Sequence, residues 1–343
     1  MLGSGMRIGS VFEWKVNAHY RVLIPLDALR RRGHEVVSAT EGISAHDGRS
    51  HPERLRGCDV IHGYRVLQEP ELRAVRLAIR AGAAFVWDTD DDLSALPRES
   101  PYYAVNGGRN ARRIFEHTVE IAKLAHVVTA STPALAARYR EAGIERVEVV
   151  ENLLGRDAPK ARRHKHDGLV VGWLAGLEHA SELPRIPIVE VLERLLEARD
   201  DLSVVSLGLD LRLPPGRYRH LDEIPFDRIQ EHVGGWDVAI APLSDIPFNR
   251  TRSNVKLKEY ASAGTPWLAS PVGPYAGMGE EQGGRLVADG EWYEALDRLL
   301  GSGFDRSRLG RKARAWAKSQ TIDAGAERWE GLLEEAIRRR AAA

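Results

Sequence analysis

The stretch Phe248 to Pro271, FNRTRSNVKLKEYASAGTPWLASP, reads as a loop, a short helix and a buried strand. Ser253 or Asn254 is suited to cap the helix, Gly264 stands where its C-terminus should end, and Pro266 follows. Trp267-Leu268-Ala269 is apolar enough for a central strand. Arg252 lies at the helix mouth, Lys256 about one turn in and Glu259 beyond it, so the helical period puts the three on one face. A phosphate at that end would meet free N–H groups and two cations. Glu259, deeper along the face, can accept hydrogen bonds from a ribose diol. The same charges also fit a solvated helix face with weak ion pairs, and spacing alone does not separate the two readings.

Outward from this segment, short apolar runs alternate with helical patterns. Residues 7–11, 35–39, 59–62, 84–87, 126–130 and 147–150 read as strands, with helical patterns at 19–32, closed by Gly33, and at 109–124. The second half repeats the scheme, with strands at 169–173, 202–207, 238–241, 267–270 and 285–287 and helices at 187–198, 229–233, 254–263 and 291–300. Such alternation predicts an α/β protein of two doubly wound domains. Between them, 158–167 (APKARRHKHD) is polar, basic and aperiodic, and reads as a solvated linker. The last helical stretches, 306–319 and 324–340, are amphipathic, with Trp316 and Trp329 as apolar anchors. The predicted units are 6–157, 168–318 and a C-terminal helical segment, 319–343; residues 1–5 precede the first strand and are set aside.

Composition narrows the function. The chain has 343 residues, enough for two domains with their own cores. Lys plus Arg and Asp plus Glu are both 49, so no general basic surface for nucleic acid is indicated and any anion site is local. Cys58 is the only cysteine, which rules out an intramolecular disulfide and a multi-cysteine zinc site and fits a reducing cytoplasm. No apolar run approaches the roughly 20 residues a bilayer span needs, and no signal-peptide pattern is present.

Ligands of open α/β sheets bind outside the carboxyl ends of strands, so residues just after each apolar run are candidates. After the strand at Leu169 come Gly172, Gly176 and His179, in a loop that suits either a diphosphate or a plain turn. Asp245 to Asn249 follows the strand at Val238, and Gly273, Pro274 and Tyr275 follow the strand at Trp267, in a loop whose amides suit a phosphate or sugar hydroxyls. In the first domain, Asp88, Asp90, Asp91 and Asp92 close an apolar run. They suit helix capping, a divalent metal, or a carboxylate that orients or deprotonates an acceptor hydroxyl, with Asp88 and Asp90 on one side of a continued strand. His19, and Glu13 and Lys15 in the loop before it, follow the first strand; His19 is either structural or a base near neutral pH.

The segment at 248–266 resembles the nucleotide-sugar signature of GT-B glycosyltransferases, especially the family 4-like (group 1) enzymes of bacterial surface-polysaccharide clusters. Phe248, Asn249, Arg252, Ser253, Lys256, Glu259, Tyr260, Gly264 and Pro266 carry it. The resemblance implies a GT-B architecture, with two Rossmann-like domains facing a cleft and the C-terminal helix crossing back to the first. It also implies a cytoplasmic hexosyltransferase-type enzyme of glycan biosynthesis that needs no cofactor or metal. Such an enzyme moves a sugar from a nucleoside diphosphate sugar to an acceptor hydroxyl. The donor would meet Gly172, Gly176, His179, Asn249, Arg252, Ser253, Asn254, Lys256, Glu259, Gly273, Pro274 and Tyr275. Arg252 and Lys256 would stabilise the leaving diphosphate, with His19, Asp88 or Asp90 on the acceptor side; the acceptor would be a carbohydrate, a lipid-linked or a small molecule, with peripheral membrane contact left open. Glu151-Asn152 resembles the segment that leads into the hinge. Two departures stand out: Trp173 and His179 occupy the loop where relatives place an arginine and a lysine, and Thr251 replaces the first of two glutamates eight positions apart. They leave room for a second reading, a non-catalytic nucleotide- or glycan-binding protein of the same architecture. A dinucleotide oxidoreductase is disfavoured, since no G-x-G-x-x-G follows the first strand.

Overall fold

The computed structural model describes residues 5–12, 18–40, 51–67, 69–100, 102–106, 110–158, 163–222 and 224–342. Glu13, Lys15 and part of the linker lie outside them. The first half forms a sheet of β1 (Arg7–Phe12), β2 (Glu35–Ser38), β3 (Val60–Tyr64), β4 (Ala84–Thr89), β5 (Val127–Ala130) and β6 (Val147–Val149), all parallel, in the order β2-β1-β3-β4-β5-β6. Its helices are α1 (Ile24–Arg31), α2 (Glu69–Arg80), α3 (Tyr103–Asn106), α4 (Ala111–Ala122) and α5 (Pro133–Glu141). The second half forms β7 (Leu169–Ala175), β8 (Leu202–Gly208), β9 (Tyr218–Leu221), β10 (Val238–Ala241), β11 (Trp267–Ala269) and β12 (Gly284–Leu286), again parallel, in the order β12-β11-β10-β7-β8-β9. Its helices are α6 (Ile188–Ala198), α7 (Ile229–Val233), α8 (Pro247–Thr251), α9 (Val255–Ser262), α10 (Trp292–Gly301) and α11 (Gly303–Ala317), followed by α12 (Ala326–Ala342).

Central strands such as β3, β4 and β5 are buried on both faces, which is why they read as continuous apolar runs. β9 escaped the sequence reading because YRHL, on a sheet edge and only partly buried, has no such run. The loop expected around Phe248 contains one helical turn, α8, opened by Pro247 in its first turn. Each sheet reverses its winding once, between β1 and β3 and between β7 and β10, and these switch points place the crevices.

After α11 the chain returns to the first domain. Leu154 bridges to Thr321, and Trp329, Leu332, Leu333 and Ala336 of α12 join Ile8, Val60, Val86 and Val127 in one buried cluster. Burying a large apolar side chain contributes about 1.5–3 kcal/mol, so this face fixes α12 across the first sheet. A buried charge network backs it. The Arg21 guanidinium grips both Asp88 carboxylate oxygens, bonds Val150 O and Asn152 Oδ1, and lies 5.1 Å from the Trp329 ring. Thr129 Oγ1 donates to Asp88 at 2.6 Å, and His62 Nε2 sits 3.3 Å from it.

Candidate functional site

The site is assembled where loops from the carboxyl edges of both sheets meet. On the second domain, Asn254 occupies the N-cap of α9 but makes no side-chain cap hydrogen bond, so the expected cap is absent; of the first-turn N–H groups, that of Leu257 turns back to Asn254 O at 3.0 Å. Ser253 Oγ instead accepts from Asn152 Nδ2 of the first domain, at 3.1 Å. Arg252 Nη2 donates to Glu178 Oε1 at 2.7 Å, and its Nη1 lies 3.3 Å from His179 Nε2. Lys256 Nζ lies 2.5 Å from the same His179 nitrogen and donates to Leu174 O. The two cations therefore converge on one imidazole in the turn after β7, beside the switch point.

Electrostatics follow from this crowding. Burial, then the neighbouring Lys256 and Arg252, push His179 well below its ordinary range, so the ring is neutral and accepts at Nε2. Its Nδ1, wholly buried, has no hydrogen-bond partner among the described residues. Burial and Arg252 also push Lys256 down to about 7, against the pull of Glu178 and Glu182. Arg252 resists the same burial because Glu178 holds its charge. Burial would raise Glu178, but Arg252 and Lys256 outweigh it and keep it ionised.

Glu259 lies one turn deeper, only 2 % exposed. Its Oε1 accepts from Tyr20 Oη of the first domain at 2.5 Å and its Oε2 from Gln230 Nε2. Burial raises its pKa to about 7, with both hydrogen bonds opposing the shift. Below the cradle, Glu182 binds Ser244 N and Oγ, both at 2.6 Å, and Asn249 Nδ2 at 2.8 Å. Asn249 is thus a buried brace that ties α8 to the β7 and β10 loops. Gly172 is likewise displaced from its expected role: it lies inside β7, where a Cβ would fall 1.8 Å from the Trp236 ring, so it makes room for packing. Gly176 stays at the strand end, where a Cβ would meet the Glu178 carboxylate. Gly273, at φ +52°, lets its loop close against Asn249 O; Pro274 is half-buried beside it, and Tyr275 is buried and near enough to Arg252 to feel its charge.

On the first domain the acidic run divides. Asp88 is 0 % exposed and consumed by Arg21, so it is withdrawn from the acceptor side; Arg21, one of many charged helix residues in the sequence, is the unforeseen partner. Asp90 accepts from Tyr64 Oη at 2.6 Å and pairs with Arg65 at 2.7 Å. Burial raises it against the pull of Arg65, and Asp91 adds to the rise. Asp91 pairs with Arg65 at 2.6 Å and acts electrostatically on Arg252 across the cleft. Asp92 caps the following turn through Ser94 N. Arg65, missed by sequence reading, holds φ +48°, an uncommon conformation for a residue with a side chain, at the carboxyl end of β3. His19 stands in a π-helical turn, His19–Leu23, its ring stacked at 4.8 Å and 15° on Phe226 of the second domain. It therefore sits beside Tyr20, on the Phe226 side of the cleft.

Further contacts join the edges: Thr132 Oγ1 to Thr251 O at 2.8 Å, Arg185 to Glu99 at 3.0 Å, and Lys258 Nζ to Glu151 Oε2 at 2.7 Å. Tyr20, Gln230, Glu178, Glu182 and Thr132 carry no local motif, although Tyr20 adjoins His19 and Glu178 adjoins His179. Among the described residues no group of three or more His, Cys, Asp or Glu is placed to hold a metal ion, and no helix is long and apolar enough to cross a membrane.

No family model matches the chain, and no curated protein does. Solved structures do. HepE from Anabaena, in complex with UDP and glucose, is 14% identical, with a TM-score of 0.65, over 96% of this chain and 99% of its own. Sucrose-phosphate synthase from Thermosynechococcus elongatus is 15% identical, with a TM-score of 0.66, over 98% and 100%. The catalytic domain of starch synthase IV from Arabidopsis thaliana, bound to ADP and acarbose, is 12% identical, with a TM-score of 0.63, over 98% and 100%. At these identities the likeness concerns the backbone, and two parallel doubly wound sheets that face each other, with the last helix returned to the first, are the GT-B fold.

Proposed function

We propose that the protein is a glycosyltransferase that moves a sugar from a nucleoside diphosphate sugar to an acceptor hydroxyl. One observation carries the reading: Arg252 and Lys256 lie side by side at an uncapped helix start, at the carboxyl edge of a doubly wound sheet and opposite another domain. Structural neighbours in complex with UDP or ADP support a nucleoside diphosphate as the ligand. Bond cleavage loads negative charge onto the leaving diphosphate, and fixed cations and amides in a half-buried site favour that charge more than they favour the intact donor. His179 keeps both cations aimed at one point while itself neutral. On the first domain Asp90, held by Tyr64 and Arg65 with a raised pKa, is the carboxylate offered to an acceptor hydroxyl. Glu259 takes the ribose. Contacts such as Thr132 to Thr251 bring the edges together and exclude water. The finer reading is a hexosyltransferase of glycan or glycoconjugate biosynthesis, working inside the cell on a carbohydrate, lipid-linked or small-molecule acceptor.

Purified protein incubated with a panel of nucleotide sugars and candidate acceptors is expected to release nucleoside diphosphate. Stabilisation by nucleotides without release would support the binding-protein reading instead. Neither stabilisation nor release across uridine, guanosine, adenosine and thymidine donors would refute the donor site.

A further inference from the structure

Two side chains of the first domain reach into the cleft, His19 against Phe226 and Tyr20 against Glu259. We infer that His19 and Tyr20 occupy the nucleoside half of the donor site in the ligand-free protein. The imidazole lies where a base would stack on Phe226, and the phenol hydroxyl stands in for a ribose hydroxyl on Glu259. The inference rests on the donor-site reading and concerns how that site is regulated.

The geometry is that of a stand-in ligand. His19 and Phe226 are stacked nearly parallel, the arrangement that nucleobases adopt on aromatic side chains. Tyr20 stands edge-on to both rings, at 4.8 Å from His19 and 5.7 Å from Phe226, and reaches past them to Glu259. A ribose diol needs one or both oxygens of that carboxylate, and Tyr20 and Gln230 hold one each. The two rings are adjacent because the chain makes a π-helical turn: Leu23 N–H reaches Ala18 O, and Ile24 N–H reaches His19 O. The next residue, Arg21, is locked in the buried network with Asp88 and Asn152, so the plug is rooted in the first domain. Its rings leave Phe226 and Glu259 either by changing rotamer or as the two domains part. In both cases a nucleotide binds only the vacated form, and its apparent affinity is reduced by the fraction of molecules in that form.

Calorimetric titration of UDP, ADP, GDP and dTDP, and separately of inorganic pyrophosphate, into the wild type, Tyr20→Phe and His19→Ala tests this. Tyr20→Phe keeps the ring and removes only the bond to Glu259. At least one nucleoside diphosphate is expected to bind it about tenfold more tightly, the size of one hydrogen bond to a charged group. His19→Ala should tighten the same ligand, while pyrophosphate, which reads Arg252 and Lys256 alone, should bind all three proteins within about twofold. Equal nucleotide affinity in all three, or weaker binding by the variants, overturns the plug; weaker binding would mean that the rings grip the nucleotide. Failure of the donor-site reading looks different: no diphosphate, pyrophosphate included, binds any of the three folded proteins, and that result overturns both.

Discussion

Donor affinity should fall as pH rises through neutrality, because Lys256 must be charged to hold a diphosphate and burial beside Arg252 has brought its pKa down to about 7. An anionic ligand restores the charged form, so the pKa in the complex lies above that in the free protein. Binding is then full strength below the free-state pKa and weakens as pH rises through it, until the bound-state pKa is reached. Near pH 6 about nine-tenths of the free protein carries the ammonium ion, and near pH 8 about one-tenth, so the lysine by itself should lower affinity about tenfold between them, or about 1.4 kcal/mol. The ligand of choice is an intact nucleotide sugar, whose phosphates keep a fixed charge in this range. Glu259, also near 7, works in the opposite sense, since its ionisation favours ribose hydroxyls at higher pH. Lys256→Arg isolates the lysine: arginine is charged at both pH values, and the decline should vanish or reverse. Calorimetry at pH 6 and 8 in two buffers of different ionisation heat reads both the affinity and the proton taken up. An unchanged slope in Lys256→Arg would refute the proton-linked cradle; equal affinities in the wild type would not, because Glu259 can offset the lysine.

Other outcomes are checked more simply. Asp88→Ala leaves the buried Arg21 without its carboxylate and should destabilise the protein by about 3–5 kcal/mol in urea melts; a loss under about 1 kcal/mol would contradict the structural role given to Asp88. Gly172→Ala drives a methyl group into Trp236 and should cost about 1–3 kcal/mol while leaving the nucleotide affinity of the folded fraction unchanged; a selective loss of affinity would return Gly172 to the donor site. Asp90→Asn should slow transfer at saturating donor without weakening nucleotide binding, and a variant with wild-type turnover would remove Asp90 from the acceptor side. Activity should survive EDTA, since Arg252, Lys256 and the α9 amides take the diphosphate charge; abolition by EDTA with rescue by magnesium or manganese would show that a cation shares that task.

How much of this was legible in the sequence depended on the range of the interactions. The parallel sheets were, because central strands such as VIHGY and AFVWDT are buried on both faces and announce themselves as apolar runs. The meeting of Arg252 with Lys256 was legible only in part: Arg252 lies in extended backbone before the N-cap of α9, outside the helical period, and the two cations meet through His179. The partners of Glu259 were not: Tyr20 adjoins the candidate His19 but comes from the opposite domain, and Gln230 comes from another helix. The acidic run misled for a related reason. Alternation along β4 predicted a shared side for Asp88 and Asp90, but the decisive fact was a buried arginine in the π-helical turn leading into α1, indistinguishable in sequence from the exposed arginines around it.

On the proposed reading, the contacts that join the two domains engage atoms a nucleotide would use. Tyr20 and Thr132, from the first domain, engage Glu259 and the carbonyl of Thr251, and Asn152 engages Ser253 at the start of α9. Apart from α12 and the chain crossings, the contacts across the edges are mostly single polar bonds, each contributing about 0.5–1.5 kcal/mol, or more where a charge is involved. Such a set can be exchanged one by one for bonds to a ligand without disturbing either sheet. The Arg21–Asp88 network does not take part in that exchange: it is wholly buried and anchors the linker and α12 to the first domain. The division is a physical one. Bonds at the cleft are single and part-buried, so each could be replaced by a bond to a ligand, whereas breaking the buried pair would leave an uncompensated charge; the network would therefore keep its register if the edges part.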